Sequence, residues 1–485
     1  MNVDFSTWMV LAPILAACGW GMVVLVAEMF ATNRRFTGIG WLTIIALVDI
    51  AVTTAWVGSG GDSFTGAIVL DGFAAYFNYL ICGIGVVAIL MSIDYLPKIG
   101  IVRGEYYPLI VFAVVGLMAM AAATDLIVMF LGLETMSMAV YVLAGIRKHE
   151  LRSNEAALKY FLMGAFASAI LLYGVALIYL VCGTTGLAGI AASLASTPLS
   201  APDTLVLQLG VGLLLIGFGF KVAAVPFHLW APDVYEGAPT SVTAFMATAV
   251  KAGAFAALVR IFVVALAPLH EAMWPMLWIG SAATMTIGNF VALQQTSLKR
   301  MLAYSSIAHT GYLLVGITAA TSAAGSSVLF YLAAYGAMNL GAFGVMIALA
   351  RRDHGYEQIS NLAGLGQSRP MLALVMTVCL LSLLGMPPLA GFVGKFYLFS
   401  AALDAGFVGL VVIAVLNSVV SAAYYLGVVR TMYFDAPSTE PTPLLTGHAA
   451  AGLVVAVVAT VLLGIAPAAV LGAAERAMRL IVLGG

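Results

Sequence analysis

The run Gly217-Phe218-Gly219-Phe220-Lys221-Val222-Ala223-Ala224-Val225-Pro226-Phe227-His228 puts a lysine, a proline and a histidine into an otherwise apolar segment. Proline has no backbone N–H, so a helix running into Pro226 leaves the carbonyl of Val222 without its usual partner. The run Leu384-Gly385-Met386-Pro387-Pro388-Leu389-Ala390-Gly391-Phe392-Val393-Gly394-Lys395 repeats the pattern and frees the carbonyls of Leu383 and Leu384. At membrane depth, irregular backbone survives only where it faces protein or a water-filled cavity. Each break therefore predicts local hydration beside a lysine, inside a bundle of membrane helices.

The rest of the chain is consistent with that bundle. Of 485 residues, 63% are hydrophobic and only 8% charged, too little polar surface to cover a soluble domain of this length. The expected class is an all-α polytopic membrane protein. Trp8 to Phe30 has no basic stretch before it and no small-residue cleavage pattern after it, so it reads as a retained helix. Cys18, Cys82, Cys182 and Cys379 each stand alone in apolar sequence, without zinc or iron–sulfur spacing, and read as small core packers.

A helix needs about 20 apolar residues to cross the hydrocarbon. On that measure the sequence predicts fourteen spans, near 8–30, 38–57, 73–96, 108–123, 125–147, 155–182, 205–231, 240–267, 273–295, 299–320, 326–350, 371–402, 406–434 and 449–471. Loop charge tests the count independently, because cytoplasmic loops collect Lys and Arg. Arg34, Arg35, Lys98, Arg103, Arg147, Lys148, Arg152, Lys299, Arg300, Arg351, Arg352, Arg369 and Arg430 all fall in odd-numbered loops. Only Arg476 and Arg479, in the C-terminal tail, lie on the other side. Both termini are thus expected outside, on the periplasmic face.

The chain also resembles itself. Setting Leu131–Ile146 against Leu302–Ile317 aligns Tyr141 with Tyr312 and Gly145 with Gly316. At nearly the same offset Gly174-Val175 meets Gly344-Val345. The offset spans five helices, an odd number, so the second unit enters the membrane upside down. The expected organisation is an N-terminal three-helix segment (1–107), a first five-helix repeat (108–267), an inverted second repeat (268–434), and a C-terminal loop with the last helix (435–485). In such pairs, ion sites lie near the midplane between repeats.

Ionisable residues within spans are costly, about 2.5–3.5 kcal/mol on insertion scales, and mark functional sites by default. The most telling here are Glu134, Lys159, Lys221, Lys251, Arg260 and Lys395. Lys159 lies near the cytoplasmic end of its helix, where snorkelling competes with function. Arg260 reads as an anchor or structural ion-pair partner. Asp49 and Glu28 lie outside both repeats and suit polar pairing or subunit contact. His228, His309 and Tyr304 stand where they could bridge gaps through water, with hydrogen-bonded packing as the alternative.

Together the motifs resemble the antiporter-like membrane subunits of respiratory NADH-quinone oxidoreductase (complex I), shared with multisubunit cation/proton antiporters. They are Leu133-Glu134-Thr135-Met136-Ser137, Lys221 with Pro226 to Pro239, Lys251, and Gly385 to Phe396; the resemblance covers essentially the whole chain. One branch of the family usually has glutamate where this chain has Lys395. Ser305 stands where Glu134 would align, so the two units are expected to differ.

The resemblance implies a proton-translocating subunit of a bacterial inner membrane, driven by NADH-to-quinone electron transfer in other membrane and peripheral subunits. FMN, iron–sulfur clusters and quinone are expected in those partners and no cofactor in this chain. Burial disfavours a charged lysine and a nearby carboxylate favours it, so Glu134 near Lys221 would hold a proton there and its withdrawal would release it. Lys251 reads as the central relay and Lys395 as the site nearest the second half-path. A sodium/proton antiporter subunit is the alternative within transport, and a structural membrane scaffold the alternative outside it. Gly391–Phe396 lacks the first glycine and the Ser/Thr of a phosphate loop, His270-Glu271 lacks the second histidine of a zinc helix, and nothing suggests nucleic acid.

Overall fold

A computed structural model describes residues 8–31, 36–58, 66–101, 103–196, 200–350, 357–436 and 447–483. Arg34, Arg35, Arg351 and Arg352, four of the charges used to orient the chain, lie outside the described residues. The described chain is helical: α1 (Ala12–Met29), α2 (Phe36–Val57), α3 (Gly72–Lys98), α4 (Tyr106–Ala122), α5 (Leu126–Ala144), α6 (Leu151–Cys182), α7 (Leu187–Ser196), α8 (Ala201–Val222) and α9 (Trp230–Gly237). Then come α10 (Thr240–Ala265), α11 (His270–Ala292), α12 (Leu298–Ala319), α13 (Ser322–Leu349), α14 (Pro370–Leu384), α15 (Ala390–Asp404), α16 (Val408–Phe434), α17 (Gly447–Ile465) and α18 (Ala468–Leu483). Ten described helices are individually long and apolar enough to cross a membrane. The chain is a multi-pass membrane protein.

Each expected span falls on a helix, or on a pair where a proline breaks it. The seventh is split into α8 and α9, the twelfth into α14 and α15. Helix α18 was not anticipated. It is less apolar than the spans, yet packs against α3 and α13, and Met478 fills the space beside Gly325.

Burial identifies the centre. In α10 and α13, 94% and 89% of the apolar window is buried, against 22% in α1 and 28% in α17. Helix α13 packs on α3, α10, α12, α14, α15, α17 and α18. Helices apolar on every side suit this role, since no polar stripe has to reach water. The N-terminal segment is tied to this centre by Arg260. Its guanidinium donates to both oxygens of Asp71 at 2.8 and 2.9 Å and to the Ala121 carbonyl at 2.7 Å. Asp71 also caps α3 by accepting from the Ala74 N–H at 2.8 Å. Arg260 thus has the structural ion-pair role expected of it.

Three isolated bridges occur among the described residues, Ile68 with Ala123 and two more that share a helix-capping form. Asp125 bridges to Gly186, and Ser297 bridges to Gln358. Leu126 N–H donates to the Thr185 carbonyl at 2.9 Å and Leu187 N–H to that of Thr124 at 2.8 Å. In the second copy Leu298 N–H donates to Glu357 at 2.8 Å and Ile359 N–H to Thr296 at 2.9 Å. In both copies the first bridge residue caps the following helix, Asp125 for α5 and Ser297 for α12.

The two breaks are closed alike. Helix α8 ends at Ala223 in a left-handed conformation (φ 58°) and α14 at Gly385 (φ 92°). The Ala224 N–H reaches back to the Gly219 carbonyl at 2.7 Å and that of Met386 to Leu381 at 3.0 Å, which satisfies carbonyls a helix end otherwise strands.

Candidate functional site

The carbonyls freed by the prolines have found partners, and these define the site. Thr310 Oγ1, on α12, donates to the Val222 carbonyl at 2.7 Å. Lys395 Nζ donates to the Leu384 carbonyl at 2.8 Å and that of Leu383 at 3.2 Å, with Ser418 Oγ at 2.8 Å. The lysines sit differently at their breaks, Lys221 before the left-handed residue and Lys395 after it.

Lys221, Lys251 and Lys395 are each 3–5% exposed. Lys221 Nζ donates to Ser137 Oγ at 2.6 Å and lies 5.3 and 5.2 Å from the ring centres of Tyr141 and Tyr160. Lys251 Nζ donates to the carbonyl and hydroxyl oxygens of Ser306, both at 2.6 Å, beneath Tyr335 at 5.0 Å. Lys395 lies 4.7 Å from the Tyr312 ring. Among the described residues none of the three makes an ion pair. Neutral oxygens and ring faces stabilise an ammonium, and its loss of a proton breaks no salt bridge. Lys251 directly follows the π-helical turn Met246–Val250, a local widening common at functional sites.

Glu134 is half-buried, less enclosed than its place in an apolar span suggested, because the buried stripe of α5 runs through Leu133, Met136, Ser137 and Val140. It accepts a short hydrogen bond from Ser168 of α6. A small void lined by Tyr141, Ser168 and Lys221 lies beside Ser168, with room for about one water. Ser168 thus touches Glu134 and lines the void that Lys221 also lines.

His309 is buried, with Nδ1 2.7 Å from Tyr331 Oη and Nε2 3.3 Å from Tyr425 Oη. Tyr425 Oη in turn lies 2.5 Å from Ser305 Oγ, beside the Ser306 that holds Lys251. Farther along, Asn289 joins Tyr312, Tyr424 and Asn417 at 3.1, 2.9 and 3.3 Å. His228 is buried at the first break, its Nδ1 without a hydrogen-bond partner among the described residues. Tyr304 packs half-buried against the core and joins none of these bonds among the described residues.

Lys159 stands apart. Its side chain is 42% exposed and pairs with Glu155 at 2.7 Å and Asp233 at 3.0 Å; Arg300 joins Asp233 at 2.8 Å and Glu236 at 2.9 Å. Such exposed pairs are worth little individually, but they cluster around a polar pocket at one end of α6 and α9. Sequence reasoning missed Ser137, Ser306 and Ser418, the serines that hold the lysines, and Tyr425. One signal was available: Ser305, Ser306, His309 and Thr310 fall within a turn and a half of one helix.

A bundle with two broken helices, a buried lysine at each break and a third, Lys251, buried on another helix has the features of the antiporter-like class of membrane subunit. The family model described as NADH:quinone oxidoreductase/Mrp antiporter, TM matches residues 123–421. Among curated proteins the chain is similar to NADH-quinone oxidoreductase subunit N of Trichlorobacter lovleyi, 47% identical over 95% of both chains. It is also similar to subunit N of Chloroflexus aggregans, 43% identical over 98% of this chain and 97% of that one. Among solved structures it matches a chain of respiratory complex I from Thermus thermophilus with TM-score 0.78 and 33% identity, covering 95% of this chain and 98% of that one. A chain of the Mrp complex from Dietzia sp. matches with TM-score 0.83 at 23% identity, covering 99% and 98%, a likeness of fold. The chain belongs to the NADH:quinone oxidoreductase/Mrp antiporter family.

Proposed function

We propose that the chain is a non-redox, proton-translocating membrane subunit of an NADH-quinone oxidoreductase. Protons move among Lys221, Lys251 and Lys395, with Glu134, Ser168, His228, His309 and Tyr425 as connecting groups, driven by electron transfer in partner subunits that carry FMN, iron–sulfur clusters and quinone. The observation that carries this reading is that Lys221, Lys251 and Lys395 are held by neutral oxygens, unlike the equally buried Lys299, which pairs with Glu357 at 3.6 Å, so each of the three can give up its proton without breaking a salt bridge. Lys159 and its carboxylates would serve at the mouth of the path.

The same reading puts fourteen crossings in a bacterial inner membrane, both termini periplasmic, with units 108–267 and 268–434 inverted about the midplane. The doubled bridge motif at Asp125/Gly186 and Ser297/Gln358 supports that pairing. Lys251→Met tests the function, since it keeps an unbranched chain and removes the charge. The expected result in vesicles is an assembled complex with NADH oxidation but deficient proton pumping. Undiminished pumping refutes the relay and leaves the scaffold reading; pumping that requires sodium favours the antiporter reading.

A further inference from the structure

The break in α8 also borders an apolar cleft that the lysine sites do not use. The cleft, of about 390 Å³, is walled by Gly212, Val225 and Phe227 on one side and by Leu258, Met276 and Gly280 on the other. Among the described residues, no charged one lines it. Polar groups of the broken backbone are already engaged: Val225 N–H donates to Thr284 Oγ1 at 3.0 Å, and the carbonyls of Val222 and Gly219 accept from Thr310 and Ala224. Water needs several polar partners to stay in such a space, and this wall offers it little.

Two glycines keep the cleft open. A Cβ at Gly212 or Gly280 would meet no heavy atom within 4 Å. Leu209, Met276 and Ile279 are exposed beside it, so the cleft is continuous with an apolar outer surface. Left empty, its lining forfeits dispersion contacts; a hydrocarbon chain supplies them without any desolvation cost, because it comes from hydrocarbon.

We propose that this cleft binds a single lipid acyl chain, wedged between α8 and α11 against Val225, Pro226 and Phe227. The occupant packs one side of the break while Thr310 and the lysine network hold the other. Any movement of the α8–α9 junction then has to work against a bound lipid.

The test uses the intact complex in phosphatidylcholine vesicles containing a phosphatidylcholine with a mid-chain diazirine. Irradiation should label peptides spanning 212–227 and 276–283. Gly212→Leu and Gly280→Leu fill the cleft from opposite walls, so either assembled variant suffices. Each should lose this labelling while keeping that of the exposed α1 face around Met22. Absence of label in the unsubstituted complex means that a protein helix covers the cleft and overturns the proposal. Undiminished label in the filled variants puts the lipid elsewhere and overturns it equally.

Discussion

Thr310 Oγ1 donates to the carbonyl of Val222 at 2.7 Å, across 88 residues of chain. The acceptor that Pro226 leaves free in α8 is thereby taken up by α12, one turn from the Ser306 that holds Lys251. The two lysine sites share a helix, and the break in α8 is closed by a residue of α12.

Thr310→Val removes the hydroxyl and leaves a buried carbonyl unpaired, a cost of about 1–3 kcal/mol. The purified complex should lose activity at a lower temperature than the unsubstituted one, whereas Thr310→Ser should restore most of the difference. Thermal inactivation curves of the three forms decide this, and coincident curves would remove the role assigned to the bond.

Glu134→Ala or Lys221→Ala should leave the complex assembled and sharply lower proton pumping. Pumping is read as acidification of inverted vesicles at matched complex content. Normal pumping and turnover in both variants would refute the coupling of the two groups through Ser168 and the void beside it.

At Lys395, a titratable group at that depth is what matters. Lys395→Met removes the charge, and Lys395→Arg keeps one that guanidinium does not give up at usable pH. Both should pump poorly. Full pumping by the arginine form would reduce Lys395 to a fixed charge that caps the Leu383 and Leu384 carbonyls.

Gly385 lies in the left-handed region at φ 92°, and a Cβ there would come within 3.0 Å of Lys395 Cδ and 3.4 Å of Nζ. Gly385→Ala should therefore displace the lysine and strain the break by about 1–2 kcal/mol. The expected outcome is reduced pumping with Lys395 still present; unchanged pumping would show that the site tolerates this displacement.

Orientation is checked by labelling. A cysteine at His149 should react with an impermeant thiol reagent only in inside-out vesicles, and one at Thr184 only in right-side-out vesicles. The reverse pattern overturns the proposed sidedness.

The breaks at Pro226 and Pro387-Pro388, and the very carbonyls they free, were readable in the linear chain because a missing N–H acts on residues three or four positions away. Arg260 was readable for a similar reason: a guanidinium in an apolar helix needs a partner, although nothing local named Asp71. Glu134 was misjudged in degree, since hydropathy places a residue at membrane depth without saying whether it faces the core or the rim. Helix α18 was missed because its apolar stripe makes sense only against α3 and α13.

The sequence by itself determined that the chain is membrane-embedded, helical, broken twice and cationic within. These properties follow from local hydropathy, charge and backbone donors. Only the tertiary structure decided what each lysine touches. Ser137 lies 84 residues from Lys221 and Ser306 lies 55 from Lys251, on helices whose rotation about their own axes no local pattern sets. Which neutral oxygen meets which ammonium depends on how the helices pack, because in an almost uniformly apolar chain every face of a helix is a plausible inner face until its neighbours are in place.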